Sequence, residues 1–303
     1  MDQTPRTEVP SLATTGSTDA TVEWLPRGAR RHPWNRAFSW ALPPVAPRSV
    51  SRADRDAFDR DGYLVVPDLL DQATVEDLRA ELDGLEAEMD ELLTSQADGR
   101  IYIAEAGAIT FTVHAVLRSA AARALAKDPA LVGLCHDLLG PDVNLYWDQA
   151  VYKKPEKPRR FPWHQDTGYT YVEPQHYLTF WIALTSTTTT NGCPWILPGA
   201  HRAGTLLHHW VDPIGWECLD TSPAEAVAAE LPPGGAVVFS SLTPHFTGPN
   251  LTDSVRKAYI VQYAPLGIRR IEGDWMRGAP PSGSSACDDP DRQFAVLRDS
   301  VPV

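Results

Sequence analysis

The sequence predicts a mainly β protein with flanking helices, an α+β fold in which helices come first and a jelly-roll core follows. Three observations predict it. Apolar residues recur at helical spacing before residue 141, and short β-rich runs separated by Pro, Gly and Asn fill residues 142–266. The chain has 303 residues, 43% of them hydrophobic, which suffices for a sizeable core. Length alone leaves one large domain or two small ones open.

An N-terminal arm, residues 1–48, is rich in Pro, Arg, Thr and Ser. We expect its first 20 residues to be disordered, because they offer little apolar surface to bury. Four aromatic residues interrupt the polar background and would attach the rest of the arm to the body: Trp24, Trp34, Phe38 and Trp40. Residues 49–303 are then predicted to form a single domain.

The helical part of this domain is predicted over residues 49–141. Ser51 can cap a short helix with Asp54 in its first turn, and the run DGYLVVP indicates a turn followed by a strand. A long helix follows, since one stripe of apolar residues recurs at spacings of three and four: Val75, Leu78, Leu82, Leu85, Met89 and Leu92. Another helix is predicted near 119–138, before Gly140 and Pro141.

The β core is predicted over residues 142–266, and an irregular tail over 267–303. The core contains several short β-rich runs with turn residues between them: VNLYWDQAVYKKP, YLTFWIALTSTT, GCPWILPGAH, GGAVVFSS and RKAYIVQYAP. Many short strands of this kind are typical of a sandwich or barrel.

Composition excludes some partners. The net charge is −12 and the pI is about 5.2, which argues against nucleic acid and anionic membrane surfaces as partners but not against a small acidic ligand. Four scattered cysteines indicate reduced thiols in a cytosolic protein. We see no signal peptide and no apolar run approaching 18 residues, so a cytoplasmic location is expected. A monomer and a homodimer both remain open.

The stretch FPWHQDTGYT carries the first chemical signal, His164 and Asp166. On a strand, residues two apart point to the same face, so an imidazole and a carboxylate would project side by side. That spacing suits two adjacent positions on a metal. Taken alone, such a pair is more often a simple hydrogen bond.

Later residues complete the pattern. His245 follows an apolar strand and a turn, and two His with one carboxylate form the facial triad of non-haem Fe(II) oxygenases. Arg256 lies eleven residues further on, and Thr247 lies between them. Arginine holds a carboxylate through two contacts and stays charged when buried, as binding the distal carboxylate of a keto acid requires. The alternatives are a loop histidine bonded to backbone and a surface arginine at a strand start.

These motifs together resemble the phytanoyl-CoA dioxygenase family of Fe(II)/2-oxoglutarate oxygenases. The similarity covers about residues 53–265, in the order FDRDGYLVVPDLL, KKP…FPWHQD, NGCPWILPGAHR and PHFTGPN…R. It implies a double-stranded β-helix, a cupin-like jelly roll, with Fe(II), 2-oxoglutarate and O2 as cofactors and ascorbate as an optional reductant.

The resemblance also implies residue roles. His164, Asp166 and His245 would bind iron, and Arg256 with Thr247 would bind the C5 carboxylate of 2-oxoglutarate. Three more residues match positions that the family places near the cosubstrate: Trp181, Tyr152 and Lys154. Related halogenases have a small residue in place of the metal-binding aspartate. Since Asp166 is present, oxygenation is favoured over halogenation.

The implied function is oxidation, most simply hydroxylation, of a C–H bond in a small molecule, with succinate and CO2 as coproducts. Substrate contacts are predicted in two stretches, one after the metal pair and one at residues 202–226: Tyr169, Tyr171 and His176, then His208, His209, Trp210 and Trp216. The tryptophans could equally pin the loop to the body.

The substrate class remains open. A basic run, KKPEKPRR at 153–160, is the obvious place for a CoA phosphate cradle, and the acidic chain offers little else. We therefore favour a small secondary metabolite or an amino-acid-derived substrate over an acyl-CoA, with hydroxylation of an acyl-CoA or an amino acid as the alternative. Two other functions are weighed: a cupin-like metal dioxygenase that needs no keto acid, against which Arg256 argues, and a non-enzymatic jelly-roll binding module, against which the complete triad argues.

Overall fold

The computed structural model describes residues 25–277 and 279–303. Trp24 and the first 20 residues, for which attachment and disorder were predicted, lie outside the described residues. None of the helices in the described ranges combines the length and the apolar character that crossing a membrane requires.

The helices occupy the first half of the described chain and have the caps that their sequences provide. They are α1 (Arg52–Asp61), α2 (Gln72–Thr94), α3 (Ala120–Leu125) and α4 (Pro129–Leu139). The predicted cap of α1 is confirmed: the Ser51 hydroxyl accepts a hydrogen bond from the Asp54 N–H at 3.0 Å. Gly62 ends this helix with φ of 80°, in the left-handed region that favours glycine.

The single helix predicted near 119–138 is wrong, because the chain forms α3 and α4 there. Asp128 accepts a hydrogen bond from the Ala130 N–H at 2.8 Å, and Pro129 occupies the first helical position. Proline lacks the N–H that a continuous helix would need at this point. The cap and the proline therefore start a new helix.

The strands follow one another from residue 63 to the C-terminus. In chain order they are β1 (Tyr63–Val66), β2 (Arg100–Ile101), β3 (Ala104–Glu105), β4 (Ile109–Val113), β5 (Val143–Lys153), β6 (Phe161–His164), β7 (Val172–Glu173), β8 (Leu178–Ala183), β9 (Pro194–Ile196), β10 (His209–Val211), β11 (Gly215–Glu217), β12 (Val227–Ala228), β13 (Ala236–Ser240), β14 (His245–Thr247), β15 (Arg256–Pro265), β16 (Arg269–Glu272), β17 (Gly283–Ala286), β18 (Ala295–Arg298) and β19 (Val301–Pro302).

Two antiparallel sheets form the core and confirm the mainly β prediction. The major sheet runs β1-β13-β8-β15-β5-β4-β3-β2, and the minor sheet runs β12-β9-β14-β6. One face of the major sheet packs on the helices, with Phe180 of β8 and Tyr259 of β15 buried there beside Leu82 of α2. Side chains alternate along a strand, so Trp181 and Arg256 point the other way, toward the minor sheet. The site predicted from sequence therefore lies between the two sheets.

Two regions predicted to lack regular structure contain strands. The tail is not irregular throughout: β18 pairs with β5, and β16 lies between β7 and β17. Val296 and Leu297 are buried, and this apolar contact explains why β18 joins the major sheet. The 202–226 connection contains the hairpin β10–β11, in which Trp210 and Trp216 are direct cross-strand partners.

Candidate active site

The predicted metal ligands come together where β6 and β14 meet. His164 ends β6, His245 begins β14, and the two residues are register partners with ring centroids 4.1 Å apart. Asp166 lies in a 3-10 turn, Asp166–Gly168, so the prediction that it shares a strand with His164 is wrong. The turn still brings its carboxylate to the imidazoles: Oδ1 lies 3.6 Å from His164 Nε2 and 3.7 Å from His245 Nε2.

Each of these side chains has one free ligating atom. His164 Nδ1 is 2.9 Å from the Pro162 carbonyl and His245 Nδ1 is 3.0 Å from the Thr243 carbonyl, so each Nδ1–H donates and each Nε2 keeps its lone pair. One candidate ligand atom from each residue lies within 4.8 Å of the others. This donor set fits iron, which takes two imidazoles and a carboxylate on one face.

The carboxylate of Asp166 is held by the major sheet. Its Oδ2 accepts hydrogen bonds from the Thr179 hydroxyl at 2.6 Å and the Gln262 amide at 2.9 Å. Burial alone would raise the pKa of Asp166, but His164, His245 and the Thr179 hydroxyl lower it below its usual range. Burial lowers the pKa of His245 to about 4. The site therefore offers an anionic carboxylate and a neutral His245 imidazole, the forms that bind a metal.

A buried hydrogen-bond network holds Gln165, which lies between the predicted metal ligands His164 and Asp166. Gln165 is fully buried, and its amide donates to the Gly204 and Leu242 carbonyls while its carbonyl accepts from the Leu206 N–H. The Gln165 backbone N–H donates to His208 Nε2 at 2.9 Å. A Cβ on Gly168 would lie 2.2 Å from the His208 ring, so only glycine fits there. His208 thus supports the ligand segment, and does not point to a substrate as predicted.

The Arg256 side chain is buried, and no acidic side chain among the described residues forms an ion pair with it. It is 1% exposed, its Nε has no hydrogen-bond partner among the described residues, and its NH1 makes only a long 3.4 Å contact to the Val151 carbonyl. The Trp181 ring lies 5.0 Å from its guanidinium carbon. Burial lowers the pKa of Arg256 to about 9. An unpaired buried cation is costly, so this environment favours an anionic ligand.

Lys153 is the direct strand partner of Arg256 and was missed by the sequence analysis. It is 1% exposed, and its ammonium donates to the carbonyls of Arg159, Thr247 and Gly248. Burial and the nearby Arg256 lower its pKa. Thr247 itself, buried in β14, lies on the strand beside the triad. Two cations therefore meet at this end of the site.

Tyr152 and Lys154 point away from the predicted cosubstrate position. The Tyr152 hydroxyl donates to Asp83 of α2 at 2.6 Å, and Lys154 forms ion pairs with Glu86 and Asp90 of the same helix. The alternation of β5 explains this, because both residues neighbour Lys153 and so face the opposite side of the sheet. The register of β5, which decides the face, was not visible in the motif.

The predicted substrate residues separate into two groups. Tyr169 lies beside the triad, with its ring perpendicular to that of His164 at 5.5 Å, and Trp216 lies on the neighbouring hairpin. Tyr171 and His176 are engaged with the arm instead: Tyr171 contacts His32 and Trp34, and His176 meets Trp40.

Comparison with known proteins agrees with this geometry. The sequence model described as Phytanoyl-CoA dioxygenase (PhyH) matches residues 58–258. A probable phytanoyl-CoA dioxygenase of Caenorhabditis elegans is 32% identical over 154 residues, 46% of this chain and 49% of the relative. An ectoine dioxygenase of Nocardia farcinica is 30% identical over 53% of this chain and 54% of the relative, so the chain spans about half the length of these two relatives.

A methylphosphonate hydroxylase of Gimesia maris is covered more fully, at 29% identity over 75% of this chain and 84% of the relative. Among solved structures, EvdO2 from Micromonospora carbonacea var. aurantiaca, complexed with 2-oxoglutarate, has a TM-score of 0.58 at 27% identity and covers 75% of this chain and 96% of its own. The non-heme monooxygenase ThoJ has a TM-score of 0.60 at 25% identity, covering 77% of this chain and 82% of its own. The jelly-roll expectation is thereby confirmed.

Proposed function

The chain belongs to the phytanoyl-CoA dioxygenase family, and from this premise we propose that it is a non-haem Fe(II)/2-oxoglutarate-dependent dioxygenase. It oxidises, most simply by hydroxylation, a C–H bond of a small molecule, with succinate and CO2 as coproducts. The observation that carries the proposal is the state of the triad: His164, Asp166 and His245 each keep one ligating atom free, while their other polar atoms are hydrogen-bonded.

His164, Asp166 and His245 hold the iron in this proposal. When bound, ferrous iron with 2-oxoglutarate and O2 supplies the oxidising power that an unactivated C–H bond requires. The protein positions the reactants and excludes water. Thr179 and Gln262 hold Asp166 Oδ2, which leaves Oδ1 directed at the two imidazoles. The Pro162 and Thr243 carbonyls fix the imidazole tautomers.

Arg256 binds the distal carboxylate of 2-oxoglutarate, with Trp181 packed on the guanidinium and the Thr247 hydroxyl nearby. Support comes from the unpaired, buried state of Arg256. We propose Lys153 as the second cation here, in place of Tyr152 and Lys154. Among the described residues its side-chain nitrogen bonds to carbonyls and to no carboxylate, so the carboxylate of a bound ligand would favour its protonated form.

The substrate we propose is a small molecule of secondary metabolism, not an acyl-CoA. The five cations of residues 153–160 are all engaged: Lys153 with carbonyls, Lys154 with α2, and three with Glu105 or Glu217, namely Lys157, Arg159 and Arg160. These carboxylates partly neutralise the positive charge that a CoA phosphate would require. An amino-acid substrate remains the alternative, because an L-proline trans-4-hydroxylase of Streptomyces griseoviridis is 26% identical over 84% of this chain.

We also propose the domain arrangement, the location, the oligomeric state and the reductant of the enzyme. Residues 49–303 act as one oxygenase domain behind the arm of residues 1–48, and the enzyme works in the cytoplasm as a monomer or homodimer. Ascorbate serves as a reductant that returns oxidised iron to the ferrous state.

The proposed function is tested by anaerobic titration of Fe(II) and 2-oxoglutarate, followed by succinate release in air. We expect a weak visible charge-transfer band and slow succinate formation without added substrate. Succinate release also separates this function from that of a metal dioxygenase without keto acid. Product mass then separates hydroxylation, at +16, from desaturation or ring closure, at −2. Absence of both the band and succinate in the iron-loaded protein would refute the proposal.

A further inference from the structure

Four aromatic side chains from three separate segments meet beside the triad, and we call them the aromatic rim: Tyr102, Trp210, Trp216 and Trp275. Tyr102 stacks on Trp210 with ring centroids 5.2 Å apart and planes 29° apart. Trp210 and Trp216 meet edge to face at 5.7 Å, and Trp216 reaches Trp275 at 5.8 Å. The Trp216 indole N–H also donates to the Tyr102 hydroxyl at 3.0 Å.

The rim remains accessible although its rings touch one another. Tyr102 is 62% exposed and Trp210 is 39% exposed, and the other two rings are half-buried. Aromatic side chains that served only to pin a loop would be expected to bury their faces in the body. Here Tyr102 and Trp210 stack on each other and still keep part of their ring surface exposed, where a ligand can contact it.

Tyr102 is held in an unfavourable backbone conformation. It lies in the two-residue turn between β2 and β3 with φ of 56°, where glycine or asparagine is preferred and a bulky residue is uncommon. The sequence therefore places a large exposed ring at a position where a small residue would be more stable. Strain of this kind concentrates at ligand-binding sites.

Tyr169 connects the rim to the metal ligands. Its ring lies against His164 at 5.5 Å, and its hydroxyl lies beside Gly215 of the hairpin, where a Cβ would come within 2.9 Å of the phenol oxygen. That hydroxyl is buried next to the Trp216 backbone N–H, and no acceptor among the described residues takes its proton. A tyrosine hydroxyl carries its proton at neutral pH, so this O–H is an unused donor.

From these features we propose the substrate class of the site: a flat, ring-containing, uncharged molecule that carries a hydrogen-bond acceptor. Its ring face packs on Trp210, Trp216 and Tyr102, and its carbonyl or ether oxygen accepts the Tyr169 O–H. The inference rests on the proposed function, because it assigns the substrate of that same site. The engaged cations of residues 153–160 agree with an uncharged ligand.

Binding to the Fe(II)- and 2-oxoglutarate-loaded protein is measured anaerobically by calorimetry with matched probes. 2-Acetylnaphthalene is flat and has an acceptor, 2-acetyldecalin has the same skeleton but is saturated, 2-methylnaphthalene lacks the acceptor, and decanoyl-CoA represents thioesters. We expect 2-acetylnaphthalene to bind at least about tenfold more tightly than 2-acetyldecalin, since ring stacking adds to area burial.

Variants separate the two parts of the proposal. Trp216→Leu keeps an apolar side chain but loses the ring, and should weaken both naphthalenes about tenfold. Tyr169→Phe removes only the hydroxyl, and should weaken 2-acetylnaphthalene while leaving 2-methylnaphthalene unchanged. Tyr102→Asn should weaken both naphthalenes without lowering Tm, because relief of backbone strain offsets the lost ring contacts. The matched control is Phe294→Leu. The Phe294 ring packs under Arg123 on the helix side of the protein, away from the rim.

Three results would overturn the inference: equal affinity for the flat and saturated ketones, tightest binding of decanoyl-CoA, or unchanged affinity in Trp216→Leu. A purely structural rim predicts that Tyr102→Asn lowers Tm and leaves probe affinity intact. The charge-transfer band and succinate release of the wild-type protein are measured in parallel. Their presence with failed probe selectivity rejects the substrate class alone, whereas their absence rejects the proposed function.

Discussion

The triad region and the aromatic rim lie side by side but are built in opposite ways. In the triad, the ligand side chains are buried, and backbone carbonyls or the Thr179 hydroxyl hold their polar atoms that do not face the metal position. In the rim, large rings are partly exposed and are held mainly by one another. In the proposed function, the triad region sets the reaction and the rim selects the substrate.

Removing a metal ligand of the triad should have the largest effect on activity. We expect Asp166→Ala or His164→Ala to abolish the anaerobic band and succinate release, because each variant removes one of the three protein donors, and Asp166→Ala also removes the negative charge that binds the metal. Absorbance titration with Fe(II) and 2-oxoglutarate measures the effect. His209→Ala, an exposed histidine 3.7 Å from Asp220, is the control and should behave as wild type. A band that persisted in both triad variants would show that iron binds elsewhere.

Asp166→Ala should also not chlorinate. Opening a coordination position does not by itself create an anion pocket or reposition a substrate radical, and the Oδ2 partners Thr179 and Gln262 would remain. Product mass spectrometry in chloride checks this. Efficient chlorination by that single variant would contradict it.

Arg256→Gln tests whether the guanidinium binds the distal carboxylate of 2-oxoglutarate. Loss of a charge-assisted two-point contact, worth roughly 1.5–3 kcal/mol, should raise the KM for 2-oxoglutarate about 10- to 150-fold while iron binding persists. Arg256→Lys should be intermediate. Arg256→Met should raise the Tm of the ligand-free protein, because an unpaired buried charge is removed.

The same assay separates Lys153 from Lys154. Lys153→Met should raise the KM for 2-oxoglutarate, whereas Lys154→Met should chiefly affect stability through Glu86 and Asp90. A sharp KM increase in Lys154→Met with none in Arg256→Gln would reverse the assignment.

His208→Ala should weaken iron binding about 10- to 100-fold, as loss of a supporting hydrogen bond near a metal ligand typically does. The Gln165 N–H would lose its acceptor, and the segment between His164 and Asp166 would loosen. Competition with a chelator measures the affinity. His208→Gln, which can still accept a hydrogen bond, should recover part of it. Unchanged iron affinity accompanied by a lower Tm would mean that His208 only fills space.

Asp148→Asn provides the smallest effect and tests a buried charge outside both regions. Asp148 is fully buried, and burial raises its pKa to about 6 although the Tyr259 hydroxyl and the Val116 N–H donate to it. The folded state holds this proton to higher pH than the unfolded state, so wild-type stability falls as pH rises from 4 to 6.

The shift corresponds to about 3 kcal/mol, which the lost charged hydrogen bonds partly cancel. We therefore expect Asp148→Asn to be about 1 kcal/mol more stable than wild type at pH 8, and expect this advantage to disappear by pH 4. Urea denaturation across this range measures it. A variant less stable at pH 8 would show that the ionised hydrogen bonds outweigh the burial cost.

The sequence was sufficient where a residue type and its spacing carry the chemistry. The triad residues and Arg256 were named from such spacing, and the structure brings the triad together and places Arg256 against Trp181. It was insufficient where the outcome depends on which face of a strand is buried. Tyr152, Lys153 and Lys154 are consecutive, and only the pairing of β5 with β15 decides that Lys153 faces Arg256.

Long-range contacts were equally invisible. Nothing near Asp166 in the chain identifies Thr179 and Gln262 as its partners, and their roles arise from the pairing of β8 with β15. His208 was expected to face a substrate because it lies in a long connection. In the structure, its Nε2 instead accepts a hydrogen bond from the Gln165 backbone N–H. The long connection pointed to Trp210 and Trp216, whereas Tyr102 and Trp275 join the rim only through tertiary contacts.

The position of the triad also links occupancy to the lifetime of the protein. His164 and His245 belong to the minor sheet, whereas Asp166 is fastened to Thr179 and Gln262 of the major sheet. A metal held by all three would act as a cross-link between the sheets and would stabilise the folded state in proportion to the logarithm of its concentration. Iron starvation would then have two effects. The enzyme would lose its catalytic metal, and the less stable metal-free fold would be more susceptible to cellular proteases.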